Sequence, residues 1–353
     1  MNEAPTSRFK PGVRTADQPD PIRTGRSIFL NSKRHGFKVL LATCMLASGV
    51  DALAQAFPNK QVRIMVGFAP GGGTDIFSRL LASKLTEMWG QPVVVENRTG
   101  ATGTIAADFV AKAAPDGYTV LMTVPNTHTI LPHLMKLSYD PLRDFTPITL
   151  AVQVPHVLVV GLSVPANTMA ELVAMAKADP SKVNFSSSGP GSTQQLAGEM
   201  LNLVAGIKAV HVPYRGSAAA MLDLVAGGVT MSLDTTASSM GQIRAGKLKP
   251  LAIAAPRRVS VLPNVPTTAE AGYPGVEMIT WYGMFGPPNL PKAILDKWQQ
   301  DVAKVLQMPD VRERVLQLAG EPVGNKPEEF DAYVKAEFVK TGKLVKDAGI
   351  KAE

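Results

Sequence analysis

One stretch constrains the fold of this chain more than any other: Val62-Arg63-Ile64-Met65-Val66-Gly67-Phe68-Ala69-Pro70-Gly71-Gly72-Gly73-Thr74-Asp75. Residues 62–68 are β-branched and apolar, as a buried strand requires. Pro70 stops that run and three glycines follow. Thr74 or Asp75 is then placed to cap an amphipathic helix in which Ile76, Leu80, Leu81 and Leu85 recur at helical spacing. Strand, glycine turn and helix start commit the chain to α/β packing. The turn itself has two meanings. Glycines permit a tight strand-to-helix connection in any α/β protein. They also let the backbone approach a guest, and the free N–H groups at a helix start favour an anion.

The rest of the chain continues the alternation. Strands are expected at residues 92–96, 118–123, 152–162, 183–186, 209–212, 229–233, 251–255 and 281–285. Helices are expected at 104–113, 169–178, 193–204, 218–226, 240–245, 292–306, 311–318 and 328–348. This is the pattern of a doubly wound α/β fold, which binds ligands at the carboxyl ends of its strands. The runs 152–162 and 278–285 each separate one series of βα units from the next. They are expected to cross between two lobes, residues 57–156 with 278–353 and residues 157–277. Two lobes joined by paired crossings can close over a ligand by hinge motion.

Residues 1–56 stand outside this argument. Lys33, Arg34 and Lys38 flank an apolar segment at 39–50, and Ala54-Gln55-Ala56 has the small-x-small form of a signal-peptidase site, so cleavage is expected before Phe57. The apolar segment is too short to span a membrane. The polar stretch 1–32 is longer than a signal needs and reads as an unusual N-terminal extension or, preferably, an over-called start. Leu41-Ala42-Thr43-Cys44 matches a lipoprotein box only weakly. Removal of the leader would take with it Cys44, the only cysteine, leaving no thiol, disulfide or cysteine-ligated metal. The leader holds eight of the 36 Lys and Arg and four of the 29 Asp and Glu, so the remainder carries 28 against 25, a formal charge of +3. No basic cluster alternates with aromatics there, which argues against a nucleic-acid partner. The remaining 297 residues suffice for two lobes with sizeable cores.

Several loops after expected strands are polar and uncharged: Thr123-Val124-Pro125-Asn126-Thr127-His128, Ser186 to Thr193, Tyr214-Arg215-Gly216-Ser217 and Asp234 to Ser238. N-capping accounts for each taken singly. Together with the glycine turn they favour a small polar or anionic ligand. Catalytic signatures are missing. Gly161-Leu162-Ser163-Val164-Pro165 lacks the last glycine of a nucleophile elbow. Gly241 to Leu248 puts Leu248 where a phosphate-binding loop needs Ser or Thr, and the glycine turn fails the dinucleotide pattern at Ile76. His128, His133, His156 and His211 have no metal-ligand spacing. Arg215 is the one cation placed naturally to meet a carboxylate, although surface exposure or a structural ion pair is the favoured reading of it. Trp281 and Tyr282 either wall the cleft or pack in the core.

With these blocks in view, the chain resembles the Bug receptors, the extracytoplasmic solute-binding subunits of tripartite tricarboxylate transporters. The resemblance rests on Phe68 to Asp75, Gly90 to Arg98, Ala114 to Thr119, Tyr139 to Pro147, Val212 to Ser217, Pro266 to Gly272 and Trp281-Tyr282-Gly283. It implies a two-lobed periplasmic-binding-protein fold (type II, the Venus flytrap) that closes on a small carboxylate without a dedicated cation. It further implies ligand contacts from Phe68, Gly72, Gly73, Thr74, Asp75, Thr123, Asn126 and Thr127 on one lobe. The other lobe is expected to supply Ser187, Ser188, Thr193, Ser217 and Asp234. The implied partners are a small organic carboxylate and integral membrane transporter subunits, with the receptor acting as a monomer. No cofactor, metal or catalytic step is expected. A ligand-sensing co-receptor for a signalling system would use the same fold and pocket. Thr99 to Thr104 is less glycine-rich than is usual in the family, and Thr123 to Asn126 departs from the commoner small-residue form.

Overall fold

The computed structural model describes residues 57–347, 349 and 350. The leader, its cleavage site and Cys44 lie outside the described residues. The first run of elements is β1 (Val62–Val66), α1 (Gly73–Trp89), β2 (Val93–Asn97), α2 (Thr104–Ala111) and β3 (Thr119–Thr123). The long β4 (Thr146–Gly161) leads out to α3 (Met169–Ala178), β5 (Asn184–Ser187), α4 (Thr193–Ala205), β6 (Val210–Pro213), α5 (Ser217–Ala226), β7 (Met231–Thr235), α6 (Thr236–Arg244) and β8 (Leu248–Ala254). Then β9 (Ile279–Gly286) leads back to α7 (Lys292–Gln307), α8 (Pro309–Gln317), the short β10 (Glu321–Pro322) and α9 (Pro327–Asp347). Among the described residues no helix is long and apolar enough to cross a membrane.

The strands run in the order β2-β1-β3-β9-β4-β7-β5-β6, with β8 and β10 also paired to β4. β1 is parallel to β2 and β3, and β5 is parallel to β6 and β7, whereas β9 and β4 run antiparallel to their neighbours. β4 belongs to both halves. Its first part pairs with β9 from Thr146↔Gly286 to Pro155↔Ile279. From His156 onward it pairs with β7 and β8 instead, starting at His156↔Thr235 and His156↔Ala254. The exchange falls at Pro155, which has no N–H to give to either ladder. The return path is tied at the same level: His156 N–H donates to Met278 O at 3.0 Å and Met278 N–H to Ala254 O at 2.9 Å.

Each half has its own core. In the first, Val62, Ile64 and Val66 pack with Phe77, Leu81 and Leu85 of α1, Tyr282 and Trp298. The buried stripe of α1 therefore runs through Phe77, while Ile76 and Leu80 are only partly covered. The sequence pattern puts Ile76 and Leu80 on that stripe. Phe77 displaces them because its ring lies 4.8 Å from that of Tyr282 on β9. Each such side chain, fully buried, contributes about 1.5–3 kcal/mol. In the second half Leu158, Val160, Phe185, Leu201, Leu233 and Ala252 form the centre. α6 begins directly at the end of β7, four residues before the expected start at 240, and its Ala237 and Met240 pack into the first half's core. The segment after β3 is not an open loop but a π-helical turn, Asn126–Ile130.

Candidate functional site

Four helices begin at one place. The first residues of α1, α4, α5 and α6 line a single cleft together with Phe68, Val124, Asn126, Ser188, Thr280 and Tyr282. Ser192 and Thr235 cap α4 and α6 through their side chains, accepting from Gln195 N–H and Ser238 N–H. α1 and α5 are capped instead by Gly72 and Gly216, which have no side chain to offer. The cap expected at Thr74 or Asp75 thus falls two or three residues earlier, at Gly72. Glycine caps leave the first-turn N–H groups of both helices without an internal partner. The two ends face each other: a Cβ on Gly72 would stand 3.9 Å from Ser217 Cβ, and one on Gly216 3.5 Å from Ala69 N. Helix dipoles put partial positive charge at each start, so the cleft attracts anions although no lysine or arginine among the described residues lines it. Gly71, at φ +89°, makes the left-handed turn that aims α1 this way.

The residues singled out from sequence divide into two groups. Phe68, Gly72, Gly73, Thr74, Asn126, Ser188, Thr193 and Ser217 line the cleft. Asp75, Thr123, Thr127, Ser187 and Asp234 do not. Asp75 is turned into the loop, where it accepts from Gly71 N–H at 3.0 Å, Arg79 Nε at 2.9 Å and Asn97 Nδ2 at 2.9 Å. Burial alone would raise its pKa, but those hydrogen bonds together hold the carboxyl below its ordinary value. Thr123 and Thr127 share a 2.8 Å hydrogen bond behind the wall, and Thr127 meets His128 Nδ1 at 2.9 Å. Ser187 lies 2.6 Å from His211 Nε2, a nucleophile–base spacing invisible in the sequence. Its hydroxyl is fully buried and outside the cleft, where it also accepts from Gly189 N–H. Arg215 is exposed and outside the lining. Trp281 is buried against Phe285 and Phe330, whereas Tyr282 reaches the cleft.

Val124, Thr235 and Ser238 line the cleft from loops the sequence had marked, though not as contacts, and Gln194 and Thr280 line it from outside those loops. The last two carried a signal. Gln194 follows Thr193 in the first turn of α4, and Thr280 is brought to the same face as Tyr282 by strand alternation. Asp234 lies one layer back, completely buried, with Oδ1 accepting from Gln194 Nε2 at 2.8 Å, Ser217 Oγ at 3.1 Å and Thr235 N–H at 2.6 Å. Burial raises its pKa against the opposing effect of those hydrogen bonds.

The two halves touch through the cleft itself. Gly73 N–H donates to Ser238 Oγ at 3.2 Å, Thr193 N–H to Asn126 Oδ1 at 3.3 Å, and the Tyr282 hydroxyl to Thr235 Oγ1 at 3.3 Å. About 20 Å³ of free space remains between the walls, room for a water-sized guest. A larger groove of about 710 Å³ is lined by Pro155, Ile279, Arg257, Arg312 and Glu321, but none of its lining residues begins a helix.

A sheet whose halves share one strand, with helix starts converging between them, defines a two-lobed α/β binding protein. The chain matches the family described as tripartite tricarboxylate transporter family receptor over residues 77–350. It is 32% identical over 315 residues to protein BugT of Bordetella pertussis, an alignment covering 89% of this chain and 96% of BugT. Among solved structures it is similar to Rpa4515 of R. palustris with adipate, at a TM-score of 0.81 and 35% identity over 84% of this chain and 99% of the other. It is also similar to MatC of Rhodopseudomonas palustris with bound malate, at a TM-score of 0.78 and 34% identity over 82% of this chain and all of the other. The chain therefore belongs to the tripartite tricarboxylate transporter receptor family, in which the Bug proteins fall, and has its two-lobed periplasmic-binding-protein fold.

Proposed function

We propose that this chain is a periplasmic receptor that captures a small organic carboxylate and delivers it to the membrane subunits of a tripartite tricarboxylate-type transporter. The observation that carries the proposal is the pair of glycine-capped helix starts, α1 and α5, facing each other across a cleft with no cation in its walls among the described residues. The adipate and malate held by the two structural relatives support a carboxylate as the guest. Residues 57–156 with 278–353 would form one lobe and 157–277 the other, hinged where β4 changes partner at Pro155 and His156 and where the chain returns at Met278 and Ile279.

Capture begins with the lobes parted, because a dicarboxylate exceeds the space between the walls. Carboxylate oxygens then accept from the open N–H groups of α1 and α5, and closure adds the Gly73–Ser238 and Asn126–Thr193 hydrogen bonds. Favouring the closed form takes only a few kcal/mol, so no nucleophile, metal or cofactor is required. The receptor acts as a monomer, and its closed form docks on the transporter.

Calorimetric titration and thermal shift with mono-, di- and tricarboxylates test this reading. At least one acid should bind and raise the melting temperature with concentration. Loss of the gene should abolish uptake of that acid. A protein that binds none of the panel, or one that turns its guest over, would overturn the proposal.

A further inference from the structure

A row of hydroxyls in the cleft wall has a fixed hydrogen-bond sense, and Asp234 is its root. Its Oδ1 accepts the Thr235 N–H at 2.6 Å, which no rotation can reverse because a backbone N–H only donates. Oδ2 is buried and has no partner among the described residues. A proton on this carboxyl would therefore reside on Oδ2, and Oδ1 remains an acceptor whether Asp234 is ionised or neutral.

That acceptor orients Gln194. Its Nε2 faces Asp234 Oδ1 at 2.8 Å and Ser217 Oγ at 3.0 Å, so a flipped amide would press oxygen against oxygen. Gln194 Oε1 then points the other way and accepts from Ser188 Oγ at 2.9 Å. Ser217 spends its only proton on Asp234 Oδ1. Thr193 donates to Gln194 Oε1 at 3.3 Å and accepts from Thr280 Oγ1 at 3.0 Å, so its proton is also committed away from a guest. Thr280 in turn lies 2.8 Å from Nε2 of His156. Burial lowers the pKa of His156 to about 4 and keeps the ring neutral, although the Leu233 carbonyl works the other way. With Nδ1–H donated to that carbonyl at 3.0 Å, Nε2 is left as a second inward acceptor for the one Thr280 proton.

Ser188, Thr193, Ser217 and Thr280 all line the cleft, and each commits its single proton inward. What they show a guest is oxygen lone pairs. The donors in the cleft are the backbone N–H groups at the helix starts, the Thr74 hydroxyl and the Asn126 amide, whose Oδ1 accepts from Thr193 N–H. A bare carboxylate matches the helix starts and leaves this row of acceptors facing acceptors. Closure over such a guest buries their remaining lone pairs against its oxygens, which is costly. An ammonium group would satisfy the lone pairs but meets the positive ends of four helices. A neutral hydroxyl meets both conditions.

We propose that this receptor selects hydroxy-substituted carboxylates over their unsubstituted parents, with Gln194 and Asp234 as the positioning residues that set this preference; the inference rests on the carboxylate reading above. The test is calorimetric titration of the protein with matched acids differing only by one hydroxyl: propionate and lactate, succinate and malate, glutarate and 2-hydroxyglutarate, adipate and 2-hydroxyadipate. In each pair that binds, the hydroxy acid should bind at least about tenfold tighter, the value of one well-made hydrogen bond. Gln194→Met removes the acceptor that holds the Ser188 and Thr193 protons, and should bring the ratio within about twofold. Equal affinity within the pairs on the unaltered protein overturns the inference, as does an undiminished ratio in folded Gln194→Met. Should that variant not fold, the pairs on the unaltered protein still decide. Acids that bind without regard to the hydroxyl leave the carboxylate reading standing and remove only this one, whereas a protein that binds no acid removes both.

Discussion

Gly73 lies directly beneath the phenol of Tyr282, so close that a Cβ on it would collide with the hydroxyl oxygen. The same hydroxyl donates to Thr235 Oγ1 on the facing wall, and the Gly73 N–H donates to Ser238 Oγ. One small residue therefore lets α1 begin where two cross-cleft hydrogen bonds can form. Gly73→Ala should push Tyr282 off this position and weaken carboxylate binding about tenfold or more, since overpacking of this kind costs about 1–3 kcal/mol. Titration calorimetry reads the loss. In a Tyr282→Phe background the colliding oxygen is gone, so the alanine should cost less there, and a cycle of the four proteins measures the coupling.

The framework around this contact was legible in the sequence because it depends on local pattern. The run 62–68 reads as a strand from its composition, and the chain alternates strand and helix visibly along its length. Pro155 interrupts an apolar run at the residue where β4 changes partners. The cap of α1 was not legible, because Thr74 and Asp75 are stronger cappers than glycine and only tertiary contacts with Ser217, Ser238 and Tyr282 decide the outcome. Asp75 looked like a cleft residue, yet Arg79, Asn97 and Gly71 draw it into its own loop. Gln194 and Asp234 owe their arrangement to segments 40 residues apart, which no local pattern reports.

Arg215 is the cation that sequence places nearest a carboxylate, and it is exposed and absent from the cleft. If helix starts alone hold the anion, Arg215→Ala should change affinity by no more than about twofold, the usual range for a surface substitution. A loss of about tenfold in titration would return the charge to the guanidinium.

Ala101 and Thr102 have φ of +44° and +51°, in the left-handed region where a Cβ is strained. Ala101 is exposed, so glycine there loses no packing. Ala101→Gly should relieve about 1 kcal/mol of strain, partly offset by the freer unfolded chain, and so raise the melting temperature slightly. Thr102 differs, since its hydroxyl donates to Pro190 O at 2.8 Å across the cleft. Thr102→Gly should surrender that bond along with the strain, and its gain in thermal stability should be smaller than that of Ala101→Gly.

Acid should unfold this protein through two buried histidines before its carboxylates matter. His128 is stacked on Phe285 at 4.1 Å, and burial lowers its pKa to about 3; burial lowers that of His156 to about 4. Both folded values lie below the ordinary value near 6.5, so between those limits the unfolded chain binds more protons than the folded one. Stability from these rings is complete above about pH 6.5 and is lost as pH falls, by up to about 1.4 kcal/mol per pH unit for each. Asp75, with its lowered pKa, adds to the loss only near and below pH 4, whereas the raised pKa of Asp234 works in the opposite direction above it. Two rings against one carboxyl leave a net loss on acidification. Urea denaturation between pH 7 and 4.5 should therefore show stability falling, and His156→Gln, which keeps a donor for Leu233 O, should flatten the slope markedly. A stability that stays level from pH 6.5 to 4.5 would mean that these rings take up protons without opening the fold.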